Sequence, residues 1–227
     1  MSQIKRLNVV NIEMEIMGIY EKKSETASLF SEVARTCFCF LLLAFGSDSV
    51  AIEEPKYQLI TSEKPFEIRL YEDYIIAETS LEGSFDSASR GGFRRVASYI
   101  FGGNKNLEGR SEKIQMTAPV TVSPVGENWL LHFVMPRNYS VTDLPEPNDS
   151  RILIKKIPEH LAGIISFSGW TTQRTIDEKT SKLLKWLDSL GYQSAGPQQI
   201  SRYNDPFTLP WLRRNEIIFE IKKKSDE

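Results

Sequence analysis

The sequence predicts an α+β domain, in which two β-β-α-β-β pseudo-repeats form a distorted eight-stranded antiparallel sheet or barrel flanked by two long helices. Several short segments alternate apolar and polar residues with the period of two that is typical of strands. Two longer segments carry apolar residues at steps of three and four, as amphipathic helices do. Finally, residues 68–83 (IRLYEDYIIAETSLEG) align without a gap to residues 154–169 (IKKIPEHLAGIISFSG), at an offset of 86 residues.

The first half of the domain begins with strands and continues into a helix. The predicted strands are residues 57–60, 66–71 and 74–81. A helix follows over residues 84–101, where Ser84 or Asp86 can cap the start and Gly102 ends the helix. Strands over residues 114–122 and 129–135, joined by a hairpin turn, complete this half.

The segment 114–122 (IQMTAPVTV) alternates strictly, although it contains a proline. One side carries only apolar residues, which are Ile114, Met116, Ala118, Val120 and Val122. Pro119 has no N–H for the ladder, so we expect this strand near an edge or a bulge. Its apolar side is predicted to cover the core between helix and sheet.

The second half restarts the same order of elements. The predicted elements are strands at residues 152–157 and 161–168, a helix at residues 172–190 ended by Gly191, and strands near residues 199–203 and 216–221. One unit alone would leave a sheet face and a helix face bare, whereas two paired units bury both. We therefore expect a cavity lined from both halves.

The N-terminal segment contains an apolar run of nine residues, Cys37–Phe45 (CFCFLLLAF). A membrane-spanning helix needs about 20 apolar residues, so this run matches a signal-peptide core instead. We predict a leader at residues 1–51 and a mature domain at residues 52–227. Cleavage near Ala51 would export the domain to the periplasm or to a secretory or organellar lumen; otherwise it is cytoplasmic. A buried or membrane-surface N-terminal helix is the alternative.

Charge and motifs exclude several classes of function. The formal net charge is −2, so no basic surface for nucleic acid is indicated. The two cysteines, Cys37 and Cys39, lie together in the apolar run and form no disulfide framework. Phosphate-binding, zinc-protease and nucleophile-elbow motifs do not occur. These features indicate a binding domain with an apolar pocket, which we expect to be a monomer without a membrane span in its mature form.

Three segments resemble the SOUL haem-binding protein family. They are residues 113–120 (KIQMTAPV), 133–136 (FVMP) and 203–217 (YNDPFTLPWLRRNEI), and the resemblance covers about residues 53–223. It implies a distorted barrel or saddle with two flanking helices, and it implies haem or another tetrapyrrole as the ligand in a hydrophobic groove. Relatives of this architecture include ligand-binding domains of multidrug-sensing regulators and some hydrolases.

The resemblance also indicates ligand-binding residues. An arginine of the family that lies against the tetrapyrrole matches Arg90, while a nearby lysine is replaced by Ser98. A guanidinium matches a propionate as a two-pronged fork, and Arg94 could supplement it. Trp170 and Trp211 could stack on a porphyrin, although buried tryptophans usually serve packing. A solvated helix charge is the alternative for Arg90.

The histidines leave the iron ligation open. His132 lies on a predicted strand, where its imidazole could be an axial ligand or simply a hydrogen-bonded, half-buried group. His160 is predicted in a turn and exposed. The family's axial histidine has no secure counterpart here, so the nature of any metal site stays unknown.

Two other functions remain open at this point. A hydrolase could use pocket carboxylates as general acid and base, and the strand carboxylates available are Glu67, Glu78 and Glu82. An interaction scaffold could take a protein segment in its groove. Arg213, Arg214 and Glu216 could bind an anion, but we interpret them as a charge pair that fastens the preceding loop to the sheet.

Overall fold

The computed structural model describes residues 52–224, so the predicted leader lies outside the described residues. Within this range the strands are β1 (Tyr57–Glu63), β2 (Phe66–Tyr71), β3 (Tyr74–Leu81), β4 (Asn104–Lys105), β5 (Val120–Val125), β6 (Asn128–Val134), β7 (Glu146–Pro147), β8 (Ile152–Ile157), β9 (His160–Phe167), β10 (Tyr192–Ser194), β11 (Gln199–Arg202) and β12 (Asn215–Lys223). The helices are α1 (Phe85–Ile100), α2 (Gln173–Ser189) and a 3-10 turn, Pro210–Leu212.

One curled antiparallel sheet dominates the fold. Its strand order is β1-β2-β9-β12-β11-β5-β6-β3-β8, while β10 pairs with β12 and β4 pairs with β7 in a separate ribbon. Because β1 and β8 are each paired on one side only, the sheet is a half-barrel and not a closed barrel. The predicted α+β class is confirmed, but the path of nine strands replaces the predicted eight.

Both helices begin at side-chain caps. The Ser87 N–H donates to Ser84 Oγ at 3.4 Å, and the Thr175 N–H donates to Thr172 Oγ1 at 3.3 Å. Such caps satisfy backbone donors that have no partner inside the helix. Among residues 52–224, no helix combines the length and the apolar character that crossing a bilayer requires.

Each helix covers part of the same face of the sheet. The apolar side of α1, including Val96 and Tyr99, packs against Leu131 and Phe133 of β6. The apolar side of α2 builds a second cluster on β9, β11 and β12, whose members include Ile176, Leu183, Leu187, Ile165, Ile200 and Ile217. The opposite face of the sheet carries no helix among these elements, and we call it the concave face.

Glycines permit the close approach of helix and sheet. A Cβ placed on Gly92 of α1 would lie 2.6 Å from Leu81 Cδ1 and 2.9 Å from Leu131 Cβ. A Cβ on Gly163 of β9 would lie 2.6 Å from Leu187 Cδ2 on α2. The Gly91–Gly92 pair, which weakens the helix by its low propensity, therefore has a packing role at its second residue.

The alternating segment 114–122 differs from its prediction. Strand β5 starts only at Val120, and Met116, predicted to face the core, is 37% exposed. The Ala118–Pro119 peptide bond is cis, and Thr117 forms an isolated parallel bridge with Glu53. Strand β5 lies between β6 and β11, so the prediction of an edge strand is wrong. Proline is tolerated because it precedes the ladder and need not donate to it.

Candidate functional site

A group of aromatic and cationic side chains lies where the helix starts of α1 and α2 approach each other. We call it the helix-junction cluster, and its members are Phe85, Trp170, Arg202 and Arg213. Arg202 ends β11 and points to the helix-covered face, because Ile200, two residues earlier, packs under α2. Phe85, the first residue of α1, packs against both helix-side cores.

Arg202 carries the half-buried positive charge of this cluster. Its Nη2 donates to Thr171 Oγ1 at 2.8 Å, and its guanidinium carbon lies 4.9 Å from the centre of the Phe85 ring. Burial lowers the pKa of Arg202; nearby Asp86 opposes this shift and Arg213 adds to it. Arg202 makes no ion pair with a carboxylate within residues 52–224. A half-buried cation of this kind is stabilised by an anionic partner.

Arg213 joins the cluster to an exposed tryptophan. Its guanidinium carbon lies 4.5 Å from the centre of the Trp170 ring, and Trp170 is 62% exposed. Arg213 Nε and Nη2 donate to the carbonyl oxygens of Thr208 and Pro206 at 2.8 and 2.9 Å. Arg213 therefore closes the loop before β12 on itself through backbone carbonyls, whereas the sequence interpretation expected a charge pair with the sheet.

The second tryptophan predicted at the site lies on an adjoining segment. Trp211 belongs to the 3-10 turn and is 68% exposed. The Gly169 N–H donates to the Pro210 carbonyl oxygen at 2.8 Å, which ties this turn to the start of the Trp170 segment. Both tryptophans thus leave aromatic surface open to a ligand.

The two predicted arginines of α1 extend from the same junction. Asp86, whose charge acts on Arg202, is four residues before Arg90 and eight before Arg94. Residues four apart on a helix lie on one side, so these three form a stripe that starts beside Arg202. Arg90 and Arg94 are exposed. Arg95 is turned elsewhere, donating to Thr79 Oγ1 at 2.7 Å.

His132 lies on the other side of the sheet. Its neighbours Leu131 and Phe133 pack under α1, and strand alternation therefore directs His132 to the concave face. Burial lowers the pKa of His132 to about 4, so the ring is neutral at pH 7. The sheet separates this imidazole from Trp170 and Arg90, and the predicted site residues do not all converge.

His132 lines a shallow cleft that is partly open to solvent, which we call the concave-face cleft. It is lined by Pro55, Tyr71, Tyr74, Pro119, Thr121, His132, Val134, His160, Gln199, Ser201, Tyr203 and Ile218. The lining comes from both halves of the domain, as the sequence predicted. It is rich in hydroxyl and imidazole groups, however, and differs from the apolar pocket that we expected.

His160 was predicted to be exposed in a turn, but it is the first residue of β9 and half-buried. Its ring stacks on Tyr71 with 5.5 Å between the ring centres, and it lies 5.9 Å from the ring of Tyr74. The pairing of β2 with β9 sets Tyr71 opposite His160, a long-range register that no local pattern indicates.

A buried ion network borders the cleft. Glu216 is fully buried and accepts hydrogen bonds from Arg69, Arg214, Tyr203 and Ser166. Burial alone would raise the pKa of Glu216, but the hydrogen bonds and charge of Arg69, with smaller contributions from Arg214 and Tyr203, lower it overall. The pairing of Arg214 with Glu216 agrees with the structural role that the sequence suggested.

The carboxylates considered for hydrolysis do not come together. Arg69 binds Glu67 through Nε–Oε2 at 2.7 Å, and Lys155 pairs with the buried Glu78. Glu82 is exposed beyond the end of β3. None of the three lines the concave-face cleft. In residues 52–224, no group of three or more histidine, cysteine, aspartate or glutamate side chains could hold a metal ion.

Comparison with known proteins identifies the family and the fold. The family model described as SOUL heme-binding protein matches residues 52–220. The C-terminal domain of EcmrR superposes with a TM-score of 0.53 at 14% identity, covering 74% of this chain and 98% of that one. A hydrolase from Listeria innocua superposes with a TM-score of 0.50 at 9% identity, covering 71% and 94%. No curated protein sequence shows significant similarity. At these identities the solved structures show a shared fold alone.

Proposed function

The chain belongs to the SOUL heme-binding protein family, and on that basis we propose that it binds haem or another tetrapyrrole without catalysis, for carriage, buffering or sequestration. The proposed contact surface is the helix-junction cluster together with Trp211 and the Arg90–Arg94 stripe. The segments of Trp170 and Trp211 are joined by the hydrogen bond from Gly169 to Pro210, and together these residues combine exposed aromatic rings with guanidinium groups.

The observation that carries the proposal is the half-buried guanidinium of Arg202, which pairs with no carboxylate of residues 52–224, next to Thr171 and the exposed Trp170 segment. A tetrapyrrole presents a flat apolar ring and carboxylate side chains. The carboxylates would pair with Arg202, and with Arg90 for a second one, because charge-assisted hydrogen bonds to a desolvated guanidinium are strong. The ring would lie on the open faces of Trp170 and Trp211.

The residues at this surface fit a carboxylated ring better than they fit protein-ligated iron. Both histidines of the described chain line the concave-face cleft, so neither reaches the helix junction. When bound, the tetrapyrrole supplies its own planar surface and, where it holds iron, the metal. The residues of this chain would contribute stacking, charge neutralisation and partial exclusion of water.

Titration of the full chain with hemin, followed by the Soret band, tests the proposal. We expect saturable binding, and we expect Arg202→Met to weaken it about tenfold, which is typical for loss of a charged hydrogen bond. Arg110→Met is the matched control, since Arg110 is exposed and, within residues 52–224, forms an ion pair with the exposed Glu108 alone. Absence of saturation at micromolar hemin would exclude haem, and equal affinity of the two variants would exclude this surface.

The hydrolase alternative has weaker support, because Glu67 and Glu78 are each held by a cation and Glu82 is exposed. An assay of purified protein against ester and lactone substrates checks it, and turnover that survives loss of hemin binding would revive it.

An interaction scaffold has no specific contact in its favour. We propose a monomer, which sedimentation analysis tests.

We also propose that the domain is an internal repeat. Strand β8 lies 86 residues after β2, and β9 lies 86 residues after β3, with identical lengths. The glycines that follow, Gly83 and Gly169, have φ angles of 96° and 98°. Superposition of the two β-β-α units tests the repeat, and a fit confined to the strands would contradict it.

Export of the domain is a further part of the proposal. It rests on the apolar run at residues 37–45, and the family match that begins at residue 52 is consistent with a leader before it. N-terminal sequencing of the protein purified from its native source tests the boundary. A mature chain that starts at Ile52 supports cleavage, and retention of residues 1–51 contradicts it.

A further inference from the structure

We propose that the loop between β11 and β12 (residues 203–214), which we call the exposed loop, docks on the surface of a bilayer that contains anionic phospholipids. Its apolar side chains would enter the boundary between headgroups and acyl chains, and nearby arginines would contact the lipid phosphates. The proposal goes beyond tetrapyrrole binding, because it rests on Phe207, Leu209 and Leu212, which take no part in that proposed site.

Four large apolar side chains are exposed within six residues of this loop, namely Phe207, Leu209, Trp211 and Leu212. Phe207 is 92% exposed and therefore projects almost entirely into solvent. The exposed Trp170 extends the surface, since the Gly169 N–H donates to the Pro210 carbonyl oxygen. Single exposed apolar residues are common on proteins, whereas a contiguous group marks a surface that meets a partner.

Hydrogen bonds within the loop hold the backbone that carries these side chains. The Asp205 carboxylate accepts hydrogen bonds from the N–H groups of Phe207 and Thr208 at 2.8 and 3.1 Å, and from the Thr208 hydroxyl at 2.8 Å. Arg213 closes the loop from its other end by donating to the carbonyl oxygens of Pro206 and Thr208. A contact surface that is already ordered loses little conformational entropy when it binds.

The 3-10 turn of the loop aligns two of the apolar side chains. The Leu212 N–H donates to the Leu209 carbonyl oxygen at 2.9 Å. In 3-10 geometry residues three apart are eclipsed, so these two leucines lie on one side of the turn. Pro206 and Pro210 carry no N–H, which lowers the desolvation cost of placing this backbone at an apolar boundary.

Arginines outnumber acidic residues on the segments that meet beside this loop. Residues 84–94, 169–177 and 202–213 contain five arginines and three aspartates, and no lysine or glutamate. Neither Arg202 nor Arg213 forms an ion pair with a carboxylate of residues 52–224. The phosphates of anionic lipids would supply the counter-charges. The local charge therefore fits an anionic surface, although the whole chain has a net charge of −2.

The shape of the loop favours a bilayer over other partners. A protruding side chain such as Phe207 cannot be enclosed by a small ligand, whereas a bilayer receives it between lipid headgroups. Tryptophan and arginine are suited to that boundary, because each combines apolar surface with a polar group. A second copy is a poorer fit, because the concave-face cleft is shallow and is lined largely by hydroxyl and imidazole groups.

Co-sedimentation of the full chain with phospholipid vesicles tests this inference. One set of vesicles contains phosphatidylcholine alone, and the other contains equal parts of phosphatidylcholine and phosphatidylglycerol. We expect saturable binding to the mixed vesicles and about tenfold weaker binding to phosphatidylcholine alone, because the arginines lose their anionic partners. Brominated acyl chains should quench tryptophan fluorescence, and Trp211→Phe should reduce this quenching while Trp186→Phe should not.

Phe207→Ser should weaken binding to the mixed vesicles about tenfold, as the loss of one buried aromatic side chain predicts, and should leave hemin affinity in lipid-free buffer unchanged. Leu107→Ser is the matched control, because Leu107 is 88% exposed and lies in the loop after β4. The control should bind vesicles like wild type.

Four results would overturn the inference: no saturable binding to mixed vesicles, no gain in affinity from anionic lipid, equal binding by Phe207→Ser and Leu107→Ser, or full quenching in Trp211→Phe. The last two would place the membrane contact elsewhere in the chain. Self-association in sedimentation that Phe207→Ser abolishes would also overturn it, by assigning the loop to a second copy. The expected vesicle binding in a chain that does not bind hemin would support the inference and exclude the tetrapyrrole proposal.

Discussion

Arg69 of β2 and Glu216 of β12 form a two-pronged ion pair across the intervening strand β9 on the concave face, although 147 residues separate them in sequence. Both N–O distances are 3.0 Å, and both side chains are almost fully buried. Arg214 also binds Glu216, and Glu54 and Glu67 bind the two arginines from the periphery. The network therefore joins two arginines and three carboxylates, and the buried carboxylate of Glu216 is bound by both arginines.

Glu216→Gln should destabilise the domain by about 3–5 kcal/mol, because it leaves the buried guanidinium of Arg69 without its anion. Urea unfolding at pH 7 measures the free energy. Glu220→Gln is the matched control, since Glu220 lies on the same strand and is exposed. The control should change stability by less than about 0.5 kcal/mol. Similar losses in the two variants would contradict the assigned role of the pair.

The Glu216 pair should also make the domain acid-sensitive. The folded-state pKa of Glu216 is lowered, so the carboxylate contributes stability above its unfolded pKa of about 4.3 and loses it as pH falls through the folded value. Unfolding free energies between pH 5 and pH 2 should decline less steeply in Glu216→Gln than in wild type. Parallel curves would contradict this expectation.

His132 should cause a separate loss of stability at milder acidity. Its folded pKa is about 4, whereas an unfolded histidine has a pKa of about 6.5. The unfolded chain therefore binds the proton first, and stability should fall by about 3 kcal/mol as pH drops from 6.5 to 4. His132→Leu should flatten this part of the curve, and Glu82→Gln, an exposed control, should not. If an NMR titration gives the folded His132 ring a pKa near 6.5, the predicted shift is contradicted.

Gly91 and Gly92 should respond differently to alanine. A Cβ on Gly92 would lie 2.9 Å from the Cβ of Leu131, which cannot rotate away, so Gly92→Ala should cost about 1–3 kcal/mol. At Gly91 the nearest atom is the end of the Leu81 side chain at 3.3 Å. Gly91→Ala should be neutral or stabilise the helix by up to about 1 kcal/mol. Thermal unfolding measures both, and equal effects would contradict the packing argument.

Trp170 should contribute to hemin affinity through its exposed ring. We expect Trp170→Ala to weaken hemin binding about fivefold, the usual size of one aromatic stacking contact. Trp186→Phe is the control, because Trp186 stacks on Phe66 at 5.1 Å near the far end of α2. Soret titration compares the variants. A larger loss at Trp186 would place the ligand elsewhere.

Local pattern accounts for most elements of the fold. Both helices were predicted to within about one residue, because their apolar periodicity and the caps Ser84 and Thr172 are local signals. The strands 66–71, 74–81 and 152–157 were also predicted with their observed bounds. The prediction of a strand over residues 114–119 is wrong. Apolar and polar residues alternate there, but apart from the isolated bridge of Thr117 they do not pair as a strand.

The residues of the candidate site likewise fall into those that the sequence indicated and those that only the structure brings together. From the sequence, Trp211 is proposed within a segment that resembles the family, Arg90 from alignment with the family's helix, and Trp170 because its ring could stack on a porphyrin. Arg202 could not, since nothing near it in the sequence shows that Phe85 and Thr171 surround it. His160 was placed wrongly because its burial depends on Tyr71, which lies 89 positions earlier and meets it only through strand pairing.

The sequence by itself determined the class of the domain, its two helices, its family and its near-neutral charge, because periodicity, caps and composition act over short distances. Only the tertiary structure decided which face each strand residue occupies relative to its neighbours. The register of six central strands brings His132, Thr121 and Ser201 into one row. It also brings Arg69 within hydrogen-bonding distance of Glu216. Register is determined by which pairing buries the apolar face of each whole strand, so it cannot be predicted from one segment alone.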